Sequence, residues 1–167
     1  TPGVINTFQP EYYLSTHYNG GGIGTRAYQM ALFVLFETGL QMLVDNPTMY
    51  YREEDCARFM ASIPLPTDET VSLAAKVGEY AIVAKRKGDK WYIGGMTNNK
   101  EKERVFELPF NFLPEGSTWK MVSYADGVNA NKQAMHYVKR EQEVKKGQTI
   151  RVKMARNGGF AAVLSFK

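Results

Sequence analysis

The stretch "EYAIVAKRKGDKWYIGGMT", residues 79–97, decides the fold class of this chain. Its apolar residues recur with a period of two, which is typical of β-strands with one buried face. Lys87-Gly88-Asp89 interrupts the pattern with a turn signal that lies between two such runs. The stretch therefore predicts two antiparallel strands joined by a hairpin turn.

Short strand candidates also fill the rest of the chain from Thr70 onwards. They are "TVSLAAKV", "ERVFELPF", "STWKMVSY", "MHYVKREQEV", "QTIRVKM" and "FAAVLSFK". The polar "MHYVKREQEV" suits an edge strand, and Asn157-Gly158-Gly159 predicts another hairpin turn. The residues of the last strand that share one face are Phe160, Ala162, Leu164 and Phe166. About eight short strands separated by turns predict an antiparallel β-sandwich or barrel.

The N-terminal part of the chain has a different pattern. Residues 1–23 contain two prolines and a run of three glycines, which predicts a loop. A first helix is predicted from Thr25, as its cap, to Asp45, where Asn46-Pro47 would stop it. A second helix is predicted from Thr48 to Ser62 by an amphipathic stripe. Pro64 and Pro66 then mark a boundary between residues 1–65 and residues 66–167.

The first predicted helix is apolar on nearly every side, and such a helix is normally buried on every side. One side can rest on the predicted sandwich and the second helix. The other side would need to pack against a further domain that the sequence does not contain. We therefore expect Met30–Phe36 to be covered by a second copy of the chain, as a self-association surface, or to be poorly ordered.

Composition excludes several classes of protein. The chain has 167 residues, which is enough for one domain with a core but short for a two-domain enzyme. Its longest apolar run, Met30–Phe36, is too short to span a bilayer. The net charge of +4 comes from scattered basic residues, which does not favour a nucleic-acid partner. The single Cys56 excludes an internal disulfide and a cysteine-based zinc site.

No residue pattern marks a catalytic or metal site. Neither His17 nor His136 lies near a second type of ligand at metal-binding spacing. Glycoside hydrolysis needs two facing carboxylates, and the candidates by type are Glu37, Asp45, Asp68, Glu69 and Asp126. Each of these has an ordinary explanation in capping, turn formation or solvation. We therefore predict no catalytic residue and no metal ligand in this chain.

Aromatic residues on the predicted strands allow two interpretations. Exposed rings can form a platform on which sugar rings stack, whereas buried rings fill the core between sheets. The second interpretation is the more common one and is favoured here. If a platform exists, its candidate carbohydrate-binding residues are Trp91, Tyr92, Trp119 and Tyr124.

Five segments in order resemble the C-terminal part of glycoside hydrolase family 97. They are "TRAYQMALFVLFETGLQMLVDNPTMY", "IPLPTDET", "KVGEYAIVAKRKGDKWYIGGMTNN", "DGVNANKQAMHY" and "GGFAAVLSF". The resemblance covers nearly the whole chain. The chain departs from the family pattern at Tyr28, where the family has His, and at Thr67, where it usually has Trp.

The resemblance implies a fold and a parent enzyme. Family 97 enzymes have an N-terminal β-domain, a catalytic (β/α)8 barrel and a C-terminal β-sandwich, and they cleave α-glucosides or α-galactosides by inversion or retention. Residues 1–65 would be helices and loop from the end of the barrel, and residues 66–167 an accessory antiparallel sandwich of about eight strands. The fold class is thus α+β, mainly β.

The resemblance also bears on activity. The family's catalytic glutamates and calcium ligands lie upstream of the matched region, so the chain alone would be inactive and would contain no cofactor, while the whole enzyme would hold calcium. Its partners would be the rest of its own chain and an α-linked oligosaccharide, and its location would be extracytoplasmic, in the periplasm. A carbohydrate-binding module and a purely structural brace remain as alternatives.

Overall fold

A computed structural model describes residues 3–12 and 21–167, and His17 lies outside these ranges. Eight strands follow one another between Glu69 and Phe166, as predicted. They are β3 (Glu69–Lys76), β4 (Tyr80–Lys87), β5 (Lys90–Thr97), β6 (Glu103–Pro109), β7 (Thr118–Asp126), β8 (Tyr137–Lys145), β9 (Thr149–Ala155) and β10 (Gly159–Phe166). They form a six-stranded sheet in the order β3-β4-β5-β10-β7-β8 and a two-stranded sheet, β6-β9. Every strand pairing in these two sheets is antiparallel.

The core between the two sheets follows from the period-two pattern. In β10 the side chains of Phe160, Ala162 and Leu164 point into this core, while Phe166 at the strand end is 62% exposed. The facing sheet contributes Leu108, Val152 and Met154. The predicted turns at Gly88-Asp89 and Asn157-Gly158 connect their strands as expected, and β8 is an edge strand with exposed side chains from Lys139 to Glu143.

The N-terminal segment, predicted as loop, contains two short strands and one turn of 3₁₀ helix. β1 (Thr7–Phe8) pairs in parallel with β2 (Gly22–Ile23), and Pro10–Tyr12 forms the 3₁₀ turn. The prediction missed these strands because two residues per strand are too few to show periodicity. Helix α1 follows β2 directly.

Helix α1 (Arg26–Leu35) begins as predicted and ends ten residues earlier than Asp45. The Thr25 side chain accepts a hydrogen bond from Tyr28 N and caps the helix. At the other end the Lys85 ammonium donates to Leu35 O at 3.3 Å, and this contact satisfies one of the free C-terminal carbonyls. Gly39 in the following segment has a low helix propensity.

The second predicted helix is two helices, α2 (Pro47–Arg52) and α3 (Glu54–Ala61). Asn46 rather than Thr48 caps α2, and Pro47 is its first residue. The prediction treated Pro47 only as a stop signal, although proline is also favourable at a helix start. The break falls at Glu53, whose carboxylate forms an ion pair with the buried Arg26 at 3.0 Å.

The prediction that Met30–Phe36 needs a second copy of the chain is wrong. Met30, Ala31, Phe33 and Val34 are at most 3% exposed, and Phe36 alone is well exposed, at 44%. They pack within one chain against the outer face of the six-stranded sheet and against α3, in a second core with Cys56, Phe59, Met60, Tyr92, Tyr124 and Ala161. The outer face of this sheet is itself apolar, so helix and sheet bury each other.

Two glycines allow the close approach of α1 to the sheet. A Cβ on Gly94 would lie 2.7 Å from Val34 Cβ and 2.8 Å from Ala31 O, and a Cβ on Gly159 would overlap the Tyr28 backbone. These distances are shorter than real Cβ contacts allow. The six-stranded sheet can therefore hold α1 because glycine occupies these two positions.

Replacing Gly94 with alanine should lower the free energy of unfolding by about 1–3 kcal/mol, because the added methyl group overpacks the contact with α1. Urea unfolding followed by tryptophan fluorescence measures the change. Gly39→Ala is the control, since a Cβ there has no neighbour within 4 Å. If the two variants changed the free energy of unfolding equally, the close contact between Gly94 and α1 would not restrict the packing of the helix on the sheet.

Candidate functional site

The parallel pair β1-β2 is held at both ends by other parts of the chain. At the N-terminal end, Asp45 Oδ2 accepts hydrogen bonds from Ile5 N at 3.0 Å and Asn6 N at 2.8 Å. Tyr50 of α2 donates its hydroxyl hydrogen to Gly3 O at 2.7 Å. Residues 45–50 therefore fix the start of β1.

At the C-terminal end, the sandwich makes the contacts. The buried Gln9 side chain donates from Nε2 to Ala130 O at 3.2 Å and to Arg156 O at 2.6 Å. Where α1 starts, Thr25 N donates to Asn157 O at 2.9 Å and Arg26 N donates to Ala134 O at 2.8 Å. Two connections of the sandwich, residues 127–136 and residues 156–158, thus close over the strand ends.

Asp126 lies at the centre of this junction. Its Oδ2 accepts hydrogen bonds from Ala155 N at 2.8 Å and Gly159 N at 3.0 Å. Its Oδ1 is buried and has no partner with hydrogen-bond geometry among the described atoms, although the nearby Thr25 hydroxyl lowers the pKa. Burial is the larger effect and raises the pKa of the Asp126 carboxyl to about 6.

A cleft of about 660 Å³ opens beside this junction. One side is formed by Thr7, Phe8 and Gln9, at the C-terminal end of β1. The other side is formed by the connection between β7 and β8, through Asn129, Lys132, Gln133, Ala134, Met135 and His136. We name this space the loop cleft.

The four candidate carbohydrate-binding rings lie in the cores. Trp91 and Trp119, which are 3% and 5% exposed, belong to the core between the sheets. Tyr92 and Tyr124, which are both 5% exposed, pack under the helices, and the Tyr124 ring lies 5.1 Å from the Phe59 ring. A stacking platform needs ring faces in solvent, and these four rings do not provide one.

The candidate carboxylates are separated and have structural partners. Asp68 bonds to Lys87 Nζ and Gly88 N, each at 2.8 Å, so the pKa of Asp68 is lowered. Glu69 pairs with Arg86 at 3.0 Å, and Thr67 donates to Glu37. Asp45 and Asp126 make the backbone contacts given above. These five carboxylates do not form a facing pair.

Other reactive groups are also committed to structure. Burial raises the pKa of the Cys56 thiol to about 11, which keeps it protonated at neutral pH. His136 is half-buried, and its Nδ1 accepts a hydrogen bond from Asn129 N at 3.4 Å. Across residues 3–12 and 21–167 no three His, Cys, Asp or Glu side chains are grouped to hold a metal ion. No helix in these ranges has the length and apolar character needed to cross a membrane.

A family model described as "Glycosyl-hydrolase 97 C-terminal, oligomerisation" matches residues 66–165. The chain belongs to glycoside hydrolase family 97. Its curated relatives include a retaining alpha-galactosidase from Bacteroides thetaiotaomicron, which is 40% identical over 96% of the chain and 24% of that protein. A probable retaining alpha-galactosidase from Streptomyces bingchenggensis is 31% identical over 82% of the chain and 20% of that protein.

Solved structures of family 97 enzymes are also similar to this chain. A family 97 enzyme from Pseudoalteromonas sp. strain K8, in complex with acarbose, superposes with a TM-score of 0.83 at 27% identity. The alignment covers 100% of this family 97 chain and 26% of that enzyme. The chain therefore spans about a quarter of the length of these relatives.

Sequence reasoning missed the residues that join the two parts of this family 97 chain. Gln9 lies in a stretch without periodicity, and no motif marks it. The segment "DGVNANKQAMHY" carried part of the family resemblance, but nothing in its residues indicated a contact with the N-terminal strands. The signal that could have drawn attention to it is its length, because residues 127–136 are the longest connection between consecutive strands of the sandwich.

Proposed function

We propose that this chain is the C-terminal part of a retaining α-galactosidase, in which the sandwich braces the end of a catalytic (β/α)8 barrel. The observation that carries the proposal is the parallel pair β1-β2, with β2 leading directly into α1. Parallel strands followed by helices are the repeating unit of such a barrel. The sandwich pairs its own strands antiparallel, so the parallel pair belongs to a different architecture.

An exposed apolar segment supports contact with a larger body. Residues 36–46 connect α1 to α2 and have no regular secondary structure. The large apolar side chains that they expose are Phe36, Leu40, Met42, Leu43 and Val44. A group of this size on the surface marks an interaction site more often than a free surface. In the proposal it faces the part of the barrel that its relatives carry and this chain does not.

Galactosides are the proposed substrates because both curated relatives are named as retaining alpha-galactosidases. The chain is 40% identical to the enzyme of B. thetaiotaomicron and 31% identical to the probable enzyme of S. bingchenggensis. The reaction proposed for the whole enzyme is cleavage by paired carboxylates with retention. The five candidate carboxylates have structural partners, so we assign the catalytic pair and the calcium ligands to residues outside this chain.

Two further parts of the proposal concern assembly and location. The family model names oligomerisation, and we extend this role to the sandwich, which sedimentation of the whole enzyme would test. We also place the enzyme outside the cytoplasm, which cell fractionation would test. The alternative function, a sugar-binding module with exposed rings, has no support from the four candidate rings because they are buried.

The proposal predicts the activity of a chimera. In it, this chain replaces the matching C-terminal quarter of the B. thetaiotaomicron enzyme. The chimera should cleave an aryl α-galactoside with kcat/KM within about tenfold of that enzyme's, because the brace is supplied and the catalytic groups are unchanged.

Two controls complete the experiment. The same enzyme truncated before the matching region should be inactive or insoluble, and the 167-residue chain alone should release no sugar. Turnover by the chain alone would contradict its proposed accessory role. A soluble, folded chimera that cleaves an aryl α-glucoside but not the galactoside would contradict the substrate assignment.

A further inference from the structure

The loop cleft lies at one defined end of the parallel pair. Both β1 and β2 run towards Gln9 and Thr25, where the sandwich connections 127–136 and 156–158 contact the chain. The opposite end is fixed by Asp45 and Tyr50. In a (β/α)8 barrel the carboxyl ends of the strands form the active-site face, and the amino ends serve stability. In the proposed barrel the cleft would therefore lie on the active-site side.

The side chains that line the cleft suit a neutral, hydroxyl-rich ligand. Asn129 and Gln133 each offer an amide oxygen and an amide N–H₂ group, and Lys132 offers an ammonium group. All three residues are exposed, and their side chains have no hydrogen bond or ion pair among the described residues. The backbone of this segment is fixed by Lys132 N and Gln133 N, which donate to Asn129 O at 2.9 and 2.8 Å. Met135, which is 43% exposed, adds an apolar surface.

The segment that presents these groups is held firmly at several points. Gly127 N donates to His136 O at 2.9 Å, and His136 N donates to Gln133 O at 2.9 Å. Gln9 binds Ala130 O from the strand side. Free polar groups on a positioned backbone can bind a ligand without a large loss of conformational entropy.

We propose that the loop cleft binds a sugar unit of the α-galactoside substrate beyond the unit whose bond is cleaved. Asn129, Lys132 and Gln133 would donate and accept hydrogen bonds with its hydroxyl groups, and Met135 would contact its apolar C–H face. The sandwich then contributes to substrate choice as well as to stability. This inference rests on the proposed function, because it requires the barrel that places the reacting bond near β1.

The test uses the chimera described above and two substrates of different length. One is an aryl α-galactoside, which has a single sugar, and the other is raffinose, an α-galactosyl trisaccharide. The double variant Lys132→Ala/Gln133→Ala should lose about tenfold more kcat/KM on raffinose than on the aryl galactoside, because each lost hydrogen bond changes binding by a few fold. The difference should lie mainly in KM.

The control is Lys146→Ala, which removes an exposed lysine at the opposite end of β8, where it pairs with Glu115 at 3.2 Å. Lys146→Ala should change kcat/KM only slightly, and by the same factor for both substrates. Thermal unfolding of the double variant should match that of the parent chimera, since both substituted side chains are exposed.

Two results would overturn the assignment of the cleft. The double variant could change kcat/KM as little as Lys146→Ala does on both substrates. It could also lose the same factor in kcat/KM on both substrates, which would indicate that this segment only braces the barrel. A chimera with no α-galactosidase activity would instead contradict the proposed function, together with everything built on it. The first two results leave the proposed function intact, so the two failures can be told apart.

Discussion

Arg26→Ala is expected to destabilise the chain by about 2–3 kcal/mol, because it removes charge-assisted hydrogen bonds from a buried arginine whose ion-pair partner, Glu53, is 30% exposed. Arg26 is 5% exposed and forms its ion pair with Glu53 at 3.0 Å. Its Nε donates to Ile5 O at 3.1 Å, and its guanidinium lies 5.6 Å from the centre of the Tyr137 ring. One side chain thus connects the segment that leads into β1, the α2–α3 break and β8. The alanine variant leaves the Glu53 carboxylate and the Ile5 carbonyl without this donor.

A second arginine–glutamate pair provides the control. Arg58 and Glu54 form an ion pair at 2.6 Å within α3, and their side chains are 76% and 63% exposed. Pairs of this kind contribute little because solvent screens them. Urea unfolding at neutral pH should therefore separate Arg26→Ala clearly from Arg58→Ala. Similar urea midpoints for the two variants would show that the contacts of Arg26 stabilise the chain no more than an exposed ion pair does.

The second large effect is a pH dependence that is due to Asp126. Burial raises the folded-state pKa of this carboxyl to about 6, above the value of about 3.9 for an aspartate in an unfolded chain. The folded state therefore favours the protonated form. The contribution of Asp126 to stability is complete below about pH 4 and is lost as the pH rises through about 6. The difference between the folded-state and unfolded-state pKa of Asp126 corresponds to about 2–3 kcal/mol.

Asp126→Asn isolates this effect, because asparagine stays neutral and its side-chain oxygen can still accept from Ala155 N and Gly159 N. The free energy of unfolding of Asp126→Asn, relative to the unsubstituted chain, should rise by about 2–3 kcal/mol between pH 4 and pH 7. Other carboxylates with lowered pKa, such as Asp68 and Glu79, act in the opposite direction in both proteins and cancel in the comparison.

Asp126→Ala completes the design. It removes the acceptor for both backbone N–H groups and should be destabilised at every pH from 4 to 7. If the free energies of unfolding of the unsubstituted chain and of Asp126→Asn changed equally with pH, this would contradict a raised pKa at Asp126.

The strands were predictable because their pattern is local. In β9 the alternation of apolar and basic residues from Ile150 to Met154 decides which face is buried, and tight turns fix the pairing of neighbouring strands. The helix ends were less predictable because distant residues determine them. Lys85, which lies 50 positions beyond Leu35, binds the last carbonyl of α1, and Asp45 is used by the backbone of Ile5 and Asn6.

The junction was not predictable for the same reason. Gln9 and Ala130 are 121 positions apart, and neither residue type indicates a contact. The buried aromatic residues illustrate another limit: sequence pattern placed Trp91 and Tyr92 on a strand but could not show that both faces of that strand are covered. A sheet with helices on one face and a second sheet on the other buries consecutive residues.

The strand order has a consequence for synthesis of the protein. β10 is the last of the eight strands along the chain, yet it lies in the middle of the six-stranded sheet between β5 and β7. Before it leaves the ribosome, β3-β4-β5 and β7-β8 are two separate ribbons, and α1 has only half of the surface on which it packs. Folding of this region therefore has to wait for translation of its final strand. A truncation after Gly158 would disconnect both ribbons and leave the apolar side of α1 exposed to chaperones and proteases.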